Sequence, residues 1–206
     1  MGIEELLLTA LIFAAAVLYS SVGHAGASGY LAAMALFDLA PEVMRPAALA
    51  LNILVASLAT YRYTRAGQND IQLLIPFVVV SIPAAFIGGL IHVPHGIYKP
   101  LIGIVLLFSA FHLAWTARKA PAEDRAVKRP EISVAMVTGA GLGLLAGLSG
   151  TGGGIFLSPL LLMMHWAPTR SVSGIASTFI LLNSISGLAG TTFSIGSLPQ
   201  MLPVWA

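Results

Sequence analysis

Six apolar runs occupy most of this chain: Leu6 to Val22, Ala47 to Tyr61, Ile71 to Ile91, Leu101 to Thr116, Ile132 to Leu148 and Val172 to Ile195. Each reaches or approaches the roughly 20 residues that a helix needs to cross a ~30 Å hydrocarbon core. With 57% of its 206 residues apolar and only 9% charged, a soluble domain has too little polar surface to cover them. The runs therefore predict an all-α, polytopic integral membrane protein. Leu6 to Ala16 does not read as a cleaved secretory signal, because Glu4 and Glu5 precede it and no Lys or Arg does.

The formal net charge of +2 does not point to a nucleic-acid partner, because the basic residues sit in short connections rather than on one face. They act instead as topology signals. Arg62, Arg65, Arg118, Lys119, Arg125, Lys128, Arg129 and Arg170 fall in three connections, against Arg45 and Lys99 in the others. The richer side is predicted to be cytoplasmic, which places the N-terminus outside the cytoplasm. All charges map to run ends or loops, with Arg45 expected in an outer loop. The chain has no cysteine, so thiolate metal sites are excluded. His92 and His95 form an HxxH pair without a third ligand, so no metal and no cofactor are predicted.

A repeat underlies the pattern. A shift of about 127 residues in numbering (Gly23 to Gly150, Gly26 to Gly153, Ala40 to Ala167, Pro41 to Pro168) aligns the punctuation of two halves. In each, a long apolar run meets a Gly-rich break, then a run of about ten residues (Tyr30 to Leu39; Ile155 to His165) and an Ala-Pro turn. Ten helical residues span only about half the hydrocarbon. We assign residues 1–117 to a first repeat, 118–131 to a basic cytoplasmic linker and 132–206 to a second, incomplete repeat. Residues 196–206 align with the start of the 71–91 run, so the partners of runs 71–91 and 101–116 are expected beyond the chain or in a second copy, a homodimer. The first repeat has an odd number of elements, so the second must be inverted.

Inverted repeats with broken helices are the architecture of secondary transporters. Membrane-buried backbone leaves the helix only where protein or a water-filled cavity satisfies it. The helix starts that follow such breaks present unpaired N–H groups and partial positive charge, which attract anions. The predicted substrate-binding set is Gly23, His24, Ser28, Asn52, Ser149, Gly150, Thr151, Gly153, Ser177 and Thr178. Asn52 lies inside an apolar run, where a bare amide needs a partner; Asn183 has similar standing. His24, inside the first break, titrates near neutral pH and is the candidate for proton coupling. No carboxylate lies in mid-run, which speaks against an acidic proton relay or a cation pathway.

The stretch GLSGTGGGIFLSPLLLMMHWAPTRSVSGIASTFILLNS, residues 147–184, resembles the sulfite exporter TauE/SafE family of membrane permeases. The first-half stretch GHAGASGYLAAMAL departs from it, with His24 and Ala25 where the family tends toward glycine. The resemblance implies a multi-pass plasma-membrane carrier, not an enzyme, that moves sulfite or a small organosulfur anion by alternating access, and a longer chain. A passive anion channel would use the same dipoles. Gly147-Leu148-Ser149-Gly150 also matches the GxSG of intramembrane serine hydrolases, but the downstream His165 falls at a membrane face. Gly141, Gly143 and Ala146 spell a GxGxxA without the strand a dinucleotide site requires. Gly139, Gly143 and Gly147, four apart, predict a close helix-packing stripe instead.

Overall fold

The computed structural model describes residues 3–20, 26–117 and 127–195. Among these residues there are eight helices and no strand: α1 (Ile3–Ser20), α2 (Ala27–Leu36), α3 (Pro41–Arg65), α4 (Ile71–Leu90), α5 (His95–Ala117), α6 (Ile132–Ser149), α7 (Gly154–Met163) and α8 (Thr169–Ile195). α3, α4, α6 and α8 are long and apolar enough to cross a membrane. The all-α polytopic architecture expected from the apolar runs is therefore present. Gly23, His24 and most of the basic linker lie outside the described residues.

The two half-length helices have ten residues each, and a shift of 127 carries α2 onto α7. Both start behind a glycine in the left-handed region, Gly26 at φ 86° and Gly153 at φ 79°. Only glycine takes that conformation without a Cβ penalty. One expectation fails at α3. An Ala-Pro turn with Arg45 in an outer loop is expected there, but the helix begins at Pro41 and carries Arg45 inward. Proline at the first helical position gives up an N–H that has no intrahelical partner, so Pro41 starts the helix rather than blocking it.

α4 is the hub. On one side Gly139, Gly143 and Gly147 of α6 face the carbonyl oxygens of Phe77, Ser81 and Ala85, so close that a methyl at any of the three would overlap them. On the other side Gly190 of α8 sits equally tight on Phe86, and the Ser186 hydroxyl donates to the Ile82 carbonyl at 2.6 Å. Residue numbers rise together along both contacts, so α4, α6 and α8 run parallel. Lipid tails give helices no hydrophobic drive to associate, and close backbone approach supplies dispersion instead. The glycine stripe is thus a packing surface, as predicted.

α3 packs antiparallel to α8: Leu49 meets Gly187, while Gln68 and Asn69, just past α3, meet Gly174 near the start of α8. Two buried clusters fill the flanks. One joins α1, α2, α3 and α5 around Tyr30, Met34, Met44 and Tyr98. The other joins α4, α7 and α8 around Phe77, Leu157, Trp166 and Phe179, with the Phe77 and Trp166 rings 6.0 Å apart.

Gly143→Val should lower the melting temperature of the detergent-purified protein, because overpacking of this kind costs about 1–3 kcal/mol or more. Gly141, on the same helix with nothing within 4 Å of a Cβ position, is the control. Gly141→Ala should leave the temperature unchanged or raise it.

Candidate substrate site at the second glycine break

α6 ends at Ser149, and the next four residues turn the chain through three left-handed glycines: Gly150 at φ 81°, Gly152 at φ 71° and Gly153 at φ 79°. The turn satisfies much of its own polarity. The Gly150 N–H donates to the Ala146 carbonyl at 2.9 Å. The Ser149 hydroxyl donates to the Leu145 carbonyl at 2.6 Å, lies 2.8 Å from the Thr151 hydroxyl and accepts from the Thr151 N–H at 3.3 Å. The Tyr98 hydroxyl donates to the Ser149 carbonyl at 3.0 Å. Ser149 and Thr151, expected to bind substrate, therefore spend their hydroxyls on building the break.

The first N–H groups of α7 have no intrahelical partner and carry the positive end of the helix dipole. Gly152 sits just before them, against the middles of α3 and α8. A Cβ there would stand 2.7 Å from the Ser184 hydroxyl, 2.8 Å from Ile180 Cγ2 and 3.1 Å from Asn52 Nδ2. Asn52 and Ser184 are completely buried, and neither amide atom of Asn52 nor the Ser184 hydroxyl has a hydrogen-bond partner among the described residues. Each such group costs about 1–3 kcal/mol when unsatisfied in a protein interior. Such groups in a protein interior call for a partner, and a bound ligand or an ordered water is one.

The rest of the predicted set disperses. Gly150 and Gly153 belong to the turn. Ser28, the second residue of α2, is buried near the start of the other half-length helix, its hydroxyl without a partner among the described residues. The hydroxyls of Ser177 and Thr178 both donate to the Gly174 carbonyl at 3.0 Å. Thr178 also accepts from Asn69 Nδ2 at 2.7 Å, which ties it to the α3–α4 connection rather than to Gly152. Asn183 donates to the Phe179 carbonyl of its own helix at 2.8 Å. Gly152 and Ser184 were not in the predicted set. A serine in an apolar run carries little signal until its neighbour across the seam is known.

Arg45 is the larger surprise, because all charges were expected at run ends or in loops. Its residue is 5% exposed, and its guanidinium donates from Nη2 to the carbonyls of Gly88 at 2.9 Å, Gly89 at 3.2 Å and Gly147 at 2.9 Å, and from Nη1 to that of Ile91 at 2.9 Å. These carbonyls end α4 and α6, where unpaired oxygens and the negative ends of both dipoles converge. Glycine at three of the four positions admits the cation. Arg45 thus pins the start of α3 over the break, its backbone beside Gly150.

Residues 8–205 match the profile of the sulfite exporter TauE/SafE family. The chain belongs to this family. Among the relatives of this TauE/SafE protein, a probable membrane transporter protein of Sinorhizobium fredii is 37% identical over 206 residues, covering all of this chain and 83% of that one. A probable membrane transporter protein of Methanocaldococcus jannaschii is 29% identical over 135 residues, 64% of this chain and 49% of that one. No solved structure matches the chain. Family and fold together make it a membrane-embedded transporter. The hydrolase alternative finds no support at Ser149: its hydroxyl serves the turn, and His165 lies beyond the far end of α7, its carbonyl accepting from the Lys128 N–H at 2.9 Å.

Arg45→Gln should destabilise the protein strongly, since hydrogen bonds to a charged group contribute about 1.5–3 kcal/mol each. Arg45→Lys keeps the charge but not the fork that reaches two helices at once, and should recover only part of the loss. Thermal unfolding in detergent, followed by tryptophan fluorescence, reads both.

Proposed function

We propose that this protein is a secondary transporter of a small oxyanion, sulfite or an organosulfur anion, which it binds beside Gly152 and moves by alternating access. The observation that carries the reading is the pair of unpartnered, fully buried polar side chains, Asn52 and Ser184, facing the glycine just before the α7 N-terminus. The Asn52 amide, the Ser184 hydroxyl and the first N–H groups of α7 are donors. Together they suit a ligand with several acceptor oxygens and negative charge. A cage of neutral dipoles, without a lysine or arginine in direct contact, also leaves the anion free to depart, as transport requires.

The halves 1–117 and 132–206 are read as inverted repeats. The matching ten-residue helices, their left-handed glycine caps and the antiparallel pairing of α3 with α8 support that reading. The site then lies where the halves meet, as in other transporters of this architecture. The distribution of Lys and Arg supports an inner-membrane protein with its N-terminus outside and the 118–131 linker inside.

A thermal-shift panel with sulfite, sulfate, methanesulfonate, acetate and chloride tests the site. A ligand at ~100 times its dissociation constant adds about 2.7 kcal/mol. Stabilisation of the native protein by a sulfur oxyanion is expected, with the effect lost in Asn52→Leu and reduced in Ser184→Ala. Full retention in Asn52→Leu would place the anion elsewhere.

A further inference from the structure

We infer that the α3–α8 seam is the translocation route, with Leu49 and Ile180 as the apolar plugs that close it on either side of the Gly152 site. The inference rests on the transporter reading and extends it from a site to a path.

The two helices run antiparallel, and polar side chains recur along their contact at three heights. At one end Glu42 and Arg45 of α3 and Thr191 and Ser194 of α8 line a pocket. In the middle stand Asn52 and Ser184, both unpartnered. At the other end Thr60 and Asn69 each keep a buried oxygen without a partner among the described residues, and Asn69 Nδ2 bridges the hydroxyls of Thr64 at 3.1 Å and Thr178 at 2.7 Å. The helical register explains the alignment. Asn52, Ala56, Thr60 and Thr64 are spaced by four on α3, and Ser177, Ser184 and Thr191 by seven on α8, so each set shares one face.

Between these levels the seam is apolar. Leu49, one turn from Arg45, lies completely buried, with its methyls 3.6 Å from where a Cβ of Gly187 would stand. Gly187 itself abuts the Gly147 backbone. Below the site, Ala56 and Ile180 form a small buried cluster with Val55 and Leu181. Ile180 also covers Gly152 and Gly154, so it seals the break from the Asn69 side. Buried hydroxyls without a partner among the described residues also occur singly off the seam, at Ser81 and Ser158. A packed core gives little reason, however, to set such groups in pairs, Asn52 with Ser184 and Thr60 with Asn69, at two successive levels of one seam, because each costs free energy there. A route that fills with water when one half tilts against the other gives one.

The chain has no cysteine, so single-cysteine variants need no background substitutions. Thr191→Cys, Ser184→Cys and Thr60→Cys test the route. Ser81→Cys, buried on α4, and Leu58→Cys, 55% exposed on the apolar face, serve as references. Each is treated with a membrane-impermeant methanethiosulfonate in intact cells and in inverted vesicles, after its melting temperature shows that it folds. Thr191→Cys and Thr60→Cys should react from opposite sides, roughly tenfold or more faster than the references, because only a hydrated thiol ionises to the reactive thiolate. Ser184→Cys should react too, and methanesulfonate should slow it. If Thr60→Cys and Ser184→Cys react no faster than Ser81→Cys, the route is not the seam, whatever anion binds. Fast reaction at Ser184→Cys that no anion slows supports the route and contradicts the anion site.

Discussion

A polypeptide that abandons the helix inside a bilayer must have its freed N–H and C=O groups taken over by protein, and the rest of this structure is arranged around one place where that happens. At residues 150–153 the chain reverses through three left-handed glycines, all of them buried. Tyr98, Ser149 and Thr151 satisfy the near side of the turn, while Arg45 gathers the carbonyls at the ends of α4 and α6. On the far side stand Asn52 and Ser184, whose side-chain polar atoms have no hydrogen-bond partner among the described residues. In the proposed reading, the division separates the groups that build the break from those that receive the anion.

Stability and function use glycine in two different ways. On α6 and α8 it allows backbones to touch, so that α4 is held by close packing on both flanks without a hydrophobic drive. In the break it supplies positive φ and lets Asn52, Ile180 and Ser184 approach closer than a Cβ at Gly152 would allow. A substitution on the stripe therefore acts through packing, whereas one at Gly152 both strains the turn and fills the site. The buried Arg45 links the two uses, because the glycines that let α4 and α6 approach are also the ones that expose carbonyls to its guanidinium.

Much of the fold was legible in the sequence. Hydropathy gave the class, Gly139, Gly143 and Gly147 announced a helix contact, and the repeat in numbering anticipated two ten-residue helices behind glycine caps. The site was legible only in part. Asn52 stood out because an amide in an apolar run is costly, but Ser149 and Thr151 stood out for being beside glycine, and the Ser149 hydroxyl turns back on the Leu145 carbonyl with the Thr151 hydroxyl against it. Ser184 was passed over and Arg45 was placed in an outer loop for a shared reason. Their meaning depends on groups more than thirty residues away in the chain, Gly152 in one case and the ends of α4 and α6 in the other, and helix periodicity says nothing about such partners.

The proposed carrier holds an anion in a closed site which opens to one side at a time. Counterflow tests it most directly: proteoliposomes loaded with unlabelled sulfite, then given a trace of radiolabelled sulfite outside. A carrier should concentrate label transiently above equilibrium, with an initial rate that saturates as external sulfite rises. Flux that rises linearly with concentration and shows no overshoot would contradict the account, because an open pore passes the ion without exchanging it.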